Sequence, residues 1–334
     1  MRVRRGDGTL RFFPMAPRNI GQVDRDLATP SRFWADLAGE HTAALEAHGL
    51  DRVKRVQALR YFTWRWRPGS LARSEQLRFL VRHSGPGDWR AALSKPLGVD
   101  DPEWHDVDWS PAERRSSIIA TRLIWRYAQR HGDRAVVALE EPVLGAPLPI
   151  RLDGRLVSQD LANSALEVAA MVRALDGVTP RRIIEVGAGY GRSAFALLHR
   201  FPDAHYTIVD IEPAASISRW YLGQLFPRRV DVISPDDALR LDDGAFDLAL
   251  SISTLAEMRP DQVQGYLELF DRVCAGGVVF IKQWGEWANP VDGVTLRFAD
   301  YPVPSRWTRV FEERAPVQTR FVQAAWRVPA TSRT

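Results

Sequence analysis

The sequence predicts an α/β protein: an open, mostly parallel sheet closed at one edge by an antiparallel C-terminal hairpin, preceded by a helical N-terminal domain. Three observations carry this. From Arg182 onward, short apolar runs alternate with helical stretches, the pattern of strands buried on both faces by helices. A glycine-rich turn follows the first of these runs at once. Ahead of them, apolar residues recur at three- and four-residue spacing, which is the period of amphipathic helices.

The N-terminal elements come first. Within residues 31–50, Trp34, Leu37, Ala38, His41, Leu45 and His48 share a helical stripe, and a second helix starts near Pro111 with Ile119, Leu123 and Tyr127 on one face. Residues 64–109 are crowded with tryptophan, glycine and proline and read as irregular connections. A helix over 158–175 opens on a cap in SQDL and closes at Asp176-Gly177. The strand candidates are 182–186 (RIIEV), 206–209 (YTIV), 230–233 (VDVI), 246–251 (FDLALS) and 278–281 (VVFI). Residues 307–312 and 320–327, joined by a turn containing Pro316, fit an antiparallel hairpin at the sheet edge. The chain therefore divides into a helical, aromatic-rich unit at 1–155, placed to form a substrate wall or lid, and a sheet domain at 156–334.

Composition bounds the partners. With 334 residues and 45% hydrophobic content the chain can bury a full core and is neither disordered nor a disulfide scaffold. Cys274 is the single cysteine, so a reducing, cytoplasmic setting is expected. The opening MRVRRGDGTLRFF has no apolar segment behind its basic residues, and no apolar run nears the roughly 18 residues of a membrane span. Of 45 basic residues only Lys54, Lys95 and Lys282 are lysines, a skew that reads as coding bias. Residues 1–155 hold 26 basic against 19 acidic side chains, and the remainder 19 against 22. That spread excess does not indicate a nucleic-acid partner. A homodimer is open as the assembly.

In an open α/β sheet, ligands bind beyond the carboxyl ends of the strands. There the first strand runs into Glu185-Val186-Gly187-Ala188-Gly189-Tyr190-Gly191, and a helix starts at Arg192. Glycine lets the backbone approach a ligand, and the free N–H groups of a helix start favour an anionic group. Asp210, 19 residues after Gly191, ends the second strand, where a carboxylate can accept from ribose hydroxyls. A dinucleotide fingerprint would need glycine at 192, where Arg192 stands, and no GK[ST] follows for a P-loop.

The remaining pattern, E-x-G-x-G-x-G with an acid closing the next strand, resembles motif I of class I S-adenosylmethionine-dependent methyltransferases, whose sheet is Rossmann-like. Asp236-Asp237-Ala238 resembles the acidic step that contacts the adenine amino group in that superfamily. Residues 244–248 (GAFDL) and 274–279 (CAGGVV) resemble its motif IV entry and the glycine turn into its fifth strand. More narrowly, EVGAGYGRSAFALLHRFPDAHYTIVDIEPA, FDLALSISTLAEM, SQDLANSALE and PSRW look like the sugar O-methyltransferase family of bacterial polysaccharide and natural-product gene clusters. The resemblance implies S-adenosylmethionine as methyl donor and S-adenosylhomocysteine as product. It places the cofactor against Glu185, Gly187, Ala188, Gly189, Tyr190, Gly191, Asp210, Ile211, Asp236, Asp237, Ala238, Ser251 and Ser253. A hydroxyl of a sugar or glycosylated metabolite would be the acceptor. An amine, carboxylate or phenol of a specialised metabolite is the alternative, and a nucleic-acid methyltransferase or non-catalytic module the more distant one.

An alcohol acceptor needs a base. His199 and His205 fall on the return from helix to strand, away from the ligand edge, so they are read as structural. Glu257 follows the fourth strand on the ligand side, and Lys282 ends the fifth. His105 is the histidine candidate if the N-terminal unit forms a lid. Gln283 and Trp284 offer an amide and an aromatic plane for a saccharide, and Asn163 lies early in the helix before the first strand. Asp236, Asp237, Asp242 and Asp243 are read as solvated loop carboxylates in preference to a Mg²⁺ site.

Overall fold

A computed structural model describes residues 26–66, 69–94, 96–98, 101–104, 107–291 and 293–330. His105 lies outside them.

The N-terminal half is helical. Helix α1 (Arg32–His48) starts where the Ser31 hydroxyl accepts from the Trp34 amide, and α4 (Pro111–His131) starts in a reciprocal Ser110/Glu113 capping box with proline at its first position. Between them, the region expected to be irregular contains two helices, α2 (Leu71–His83) and α3 (Pro86–Leu93). The buried face of α2 is Arg73, Gln76 and Leu80. Two of those three are polar, so the helix shows no apolar stripe in the sequence although its packing face is real. Helix α5 (Arg134–Val137) and a small hairpin, β1 (Arg151–Leu152) with β2 (Arg155–Leu156), lead into α6 (Gln159–Leu175), capped by Ser158 as expected.

From there strands and helices alternate: β3 (Arg182–Val186), α7 (Arg192–Arg200), β4 (His205–Val209), α8 (Ala214–Leu225), β5 (Val230–Ile233), α9 (Pro235–Ala238), β6 (Leu248–Ile252), α10 (Pro260–Val273) and β7 (Val278–Trp284). A short hairpin, β8 (Glu286–Ala288) with β9 (Thr295–Arg297), precedes the edge hairpin β10 (Thr308–Arg314) and β11 (Phe321–Arg327). The seven-stranded sheet runs β10-β11-β7-β6-β3-β4-β5, parallel from β7 to β5 and antiparallel at β10 and β11. Connectivity reverses between β3 and β6, so a crevice opens beyond their carboxyl ends.

One apolar core lies on each face. The first joins Ile183, Tyr206 and Phe280 of the sheet and Leu197 of α7 to α6, and runs on without a break into Leu59, Trp104 and Trp125 of the N-terminal half. The second packs Ile184 and Ala249 against Leu267 and Phe270 of α10 and against Leu27. Buried ion pairs cross between elements. Lys54 Nζ binds Glu141 and the Tyr221 hydroxyl, while Lys282 Nζ and Arg192 both bind Glu167.

Candidate active site

The turn after β3 is shaped by glycine where nothing larger fits. Gly187 has φ +75°, and a Cβ there would stand 2.1 Å from Thr254 Cγ2, whose hydroxyl donates to the Gly187 carbonyl at 3.0 Å. Gly191 has φ +95° and faces Leu222 of α8, 2.5 Å from where a Cβ would sit. Gly189 differs: its amide donates to Asp210 Oδ2 at 3.3 Å, and its Cβ direction meets only the Phe62 ring, at 3.5 Å. Asp210 also accepts from the Ile211 amide at 2.9 Å, yet burial pushes its carboxyl up to about 7. Ser253, just past β6, adopts φ +59°, a left-handed conformation that is uncommon outside glycine and clusters at functional sites.

These residues form one end of a cleft of about 350 Å³. Val186–Ala188 and Gly189, Val209–Ile211 and Ile252–Thr254 supply its floor, and the N-terminal half supplies the opposite wall. At the other end Glu257 stands on a single turn, Leu255–Glu257, that follows β6. The Tyr61 hydroxyl donates to Glu257 Oε1, and Oε2 is buried with no partner. Burial drives this carboxyl up to about 8, opposed by the hydrogen bond from Tyr61. Around it Trp66 and Trp284 stack with centroids 6.4 Å apart and planes 30° from parallel, and Trp284 and Trp287 lie 5.5 Å apart. The indole N–H groups of Trp64 and Trp287 are buried and unpaired. Three residues of this aromatic-rich lining, Trp64, Glu257 and Trp287, thus each carry a buried polar atom without a hydrogen-bond partner, groups that a ligand can satisfy.

Of the residues singled out in the sequence, Gly187, Ala188, Gly189, Asp210, Ile211, Ser253, Glu257 and Trp284 line this cleft. Others do not. Lys282 is 2% exposed and sits beneath the cleft, held by Glu167 Oε1 at 2.7 Å and by Gln318, because α6 and β11 cover the strand end it occupies. Gln283 is fully buried, with its amide tied to the Ser251 carbonyl and the Ala256 amide. Ser251 spends its hydroxyl on the Val186 carbonyl. Asn163 donates to the Gln159 carbonyl one turn back in α6. Glu185 faces the interior, accepts from the Tyr206 hydroxyl at 2.8 Å, and is pushed by burial up to about 7. Tyr190 also points inward, its hydroxyl on Asp160 at 2.8 Å, and Gly191 serves the turn into α7. Asp236, Asp237 and Ala238 form the short helix α9 outside the cleft lining, where Asp237 binds Ser234 and Arg240 and Ala238 joins the core. Among the described residues no cluster of three or more His, Cys, Asp or Glu side chains could hold a metal ion.

The sequence reading missed Tyr61, Trp34, Trp64 and Trp66. The WRW triplet at 64–66 was its one available signal, and nothing in the spacing connects that triplet to Glu257.

Residues 184–279 match the family model described as a methyltransferase domain. A malonyl-[acyl-carrier protein] O-methyltransferase of Geobacter sulfurreducens is 40% identical over 99 residues, 28% of this chain and 37% of that protein. The chain thus spans little more than a third of this curated relative. Among solved structures, the 1,6-didemethyltoxoflavin-N1-methyltransferase of Burkholderia thailandensis, solved with S-adenosylhomocysteine, is 22% identical over 50% of this chain and 76% of that one, with a TM-score of 0.41. A methyltransferase from Aquifex aeolicus is 14% identical over 44% and 82%, with a TM-score of 0.35. The strand order and the antiparallel edge give the sheet half a Rossmann-like architecture, and the match to a methyltransferase domain falls on residues 184–279 of it.

Proposed function

We propose that the protein is an S-adenosylmethionine-dependent O-methyltransferase acting on a hydroxyl of a sugar or glycosylated metabolite. One observation carries the reading. Glu257, a buried carboxyl with a free oxygen, faces a tryptophan-lined chamber continuous with the glycine turn and Asp210. The turn fits the cofactor: the Gly189 backbone is open toward the cleft, and Asp210 is a half-buried carboxyl on the cleft lining, suited to ribose hydroxyls. When bound, S-adenosylmethionine supplies an electrophilic methyl group on a sulfonium. The protein's own work is to align the acceptor and take its proton. Tryptophan faces pack on the apolar side of a sugar ring, and the Trp64 and Trp287 N–H groups donate to its oxygens. Glu257, once ionised, receives the hydroxyl proton as the oxygen–methyl bond forms and the carbon–sulfur bond breaks, leaving a neutral thioether. Tyr61 fixes the carboxyl orientation by holding its other oxygen.

Calorimetry with S-adenosylmethionine and S-adenosylhomocysteine tests the cofactor. Mass spectrometry of products from a panel of nucleotide sugars and glycosides tests the acceptor. The reading fails if neither cofactor form binds below about millimolar, or if no panel member gains a methyl group. A second reading follows from the curated relative, named for methylating a malonyl group on a carrier protein. A carboxylate acceptor is already ionised and needs no base, so an unchanged rate in Glu257→Gln selects it.

A further inference from the structure

The acceptor end of the cleft holds more positive charge than it neutralises. Arg60 stands exposed at the rim, next to Tyr61, and its contact is a long bond from Nη1 to the Gln57 carbonyl at 3.4 Å. Arg65, on the same wall, is pinned by carbonyls: Nη1 donates to Arg55 at 2.6 Å and Nη2 to Val56 at 2.9 Å. Neither arginine has a carboxylate within ion-pair distance among the described residues. The nearby acid, Asp160, has one oxygen on the Trp64 amide at 2.6 Å and the other on the Tyr190 hydroxyl. Burial lowers Arg65 to about 10, so it stays charged at neutral pH.

Three buried cations nearby are matched by carboxylates. Lys54 has Glu141, and Arg192 and Lys282 share Glu167. Glu257, the acid that faces the acceptor chamber, holds its proton at neutral pH and offers no countercharge. Arg60 is exposed and Arg65 half-buried, and two neighbouring guanidinium groups with no carboxylate partner on the lining of a cleft form a place that an anionic ligand completes. Guanidinium groups match the fork of an oxyanion.

Resting on the acceptor reading above, we propose that the acceptor carries an oxyanion, a phosphate or a carboxylate, received by Arg60 and Arg65 while its hydroxyl reaches Glu257. The anion then fixes which hydroxyl faces the methyl group, and uncharged sugars are poor ligands.

Tryptophan fluorescence of the full chain, saturated with S-adenosylhomocysteine, is titrated with glucose 6-phosphate, glucuronate and glucose. At least one charged sugar is expected to bind ten-fold or more tightly than glucose, and whichever binds better identifies the anion. Arg60→Gln, at an exposed position that leaves the core intact, should weaken the charged sugars about ten-fold and leave glucose unchanged. Arg65→Lys keeps the charge but loses the fork and should weaken them less. Equal binding of glucose and the charged sugars, or retention of the preference in Arg60→Gln, overturns the proposal. Failure of S-adenosylhomocysteine itself to bind would instead overturn the cofactor reading, and the charged-sugar preference would still be measurable without it.

Discussion

At Glu257 burial and hydrogen bonding act in opposite directions, and burial dominates, lifting the carboxyl to about 8. A base must be ionised to act, so kcat/KM for an alcohol acceptor is expected to rise with pH to a plateau above about 8. Glu257→Gln should lower kcat by about 10²- to 10⁴-fold and flatten that rise. A variant that keeps the pH limb would show that another group titrates. The glycine turn makes a separate prediction. Gly187→Ala places a methyl into Thr254 on a backbone at φ +75°, so the loop must shift, and S-adenosylhomocysteine affinity should fall at least ten-fold by calorimetry. Gly189→Trp should abolish it by filling the open side of the turn. Gly187 and Asp210 were legible because a chain reversal and a strand end are local. Glu257 was legible only by its place after β6, and its partner Tyr61 was not.

Among the elements, α6 decides what the end of β7 can do. Glu167 of α6 receives Lys282 from β7 and both Nη groups of Arg192 from α7, so one carboxylate ties three elements together. Lys282→Met leaves Glu167 still paired with Arg192. It should cost about 1–3 kcal/mol in urea unfolding, within the range for a lost charge-assisted bond, and leave S-adenosylhomocysteine affinity within about two-fold. Arg192→Met removes the bidentate partner and should cost about 3–5 kcal/mol, the range for breaking a buried pair. Loss of cofactor binding in Lys282→Met would return that lysine to the active site. The sequence marked Lys282 as unusual, one of three lysines, but which face a strand-end side chain takes depends on what packs over it. The same holds for α2, whose buried Arg73 and Gln76 conceal a helix from any search for apolar period.

Across the whole molecule, the N-terminal half and the sheet share one continuous core, tied by Lys54 to α8 and by the Ser31 hydroxyl to the Glu257 carbonyl at 2.9 Å. We therefore expect residues 156–334 expressed alone to show no cooperative calorimetric transition, while the full chain melts as one unit. Stability should also depend on pH. Glu185 and Asp210 rise to about 7 and Glu257 to about 8, against ordinary values of 4.5, 3.8 and 4.5. In the unfolded chain these groups ionise between about pH 4 and 5, and in the folded protein only above 7 to 8. Folding is therefore favoured fully below that lower window and progressively less as pH rises from it to about 8. Glu167, lowered by Arg192 and Lys282 against its burial, acts in the other direction in acid. The melting temperature should fall between pH 5 and 9, and fall less in Glu257→Gln.

The order of strands and helices, the E-x-G-x-G-x-G turn, Asp210 and the closing hairpin were determined by the sequence alone, since each depends on neighbours in the chain: apolar period, backbone freedom at glycine, the reach of one turn. The tryptophan-lined chamber was decided only by the tertiary structure. Tyr61, the tryptophans at 64, 66, 284 and 287, and Glu257 belong to segments far apart in sequence, and no local rule brings them together. The core that seats the N-terminal helices on the sheet does so, and it also sets which carboxyls are stripped of water and which charges are left without a partner.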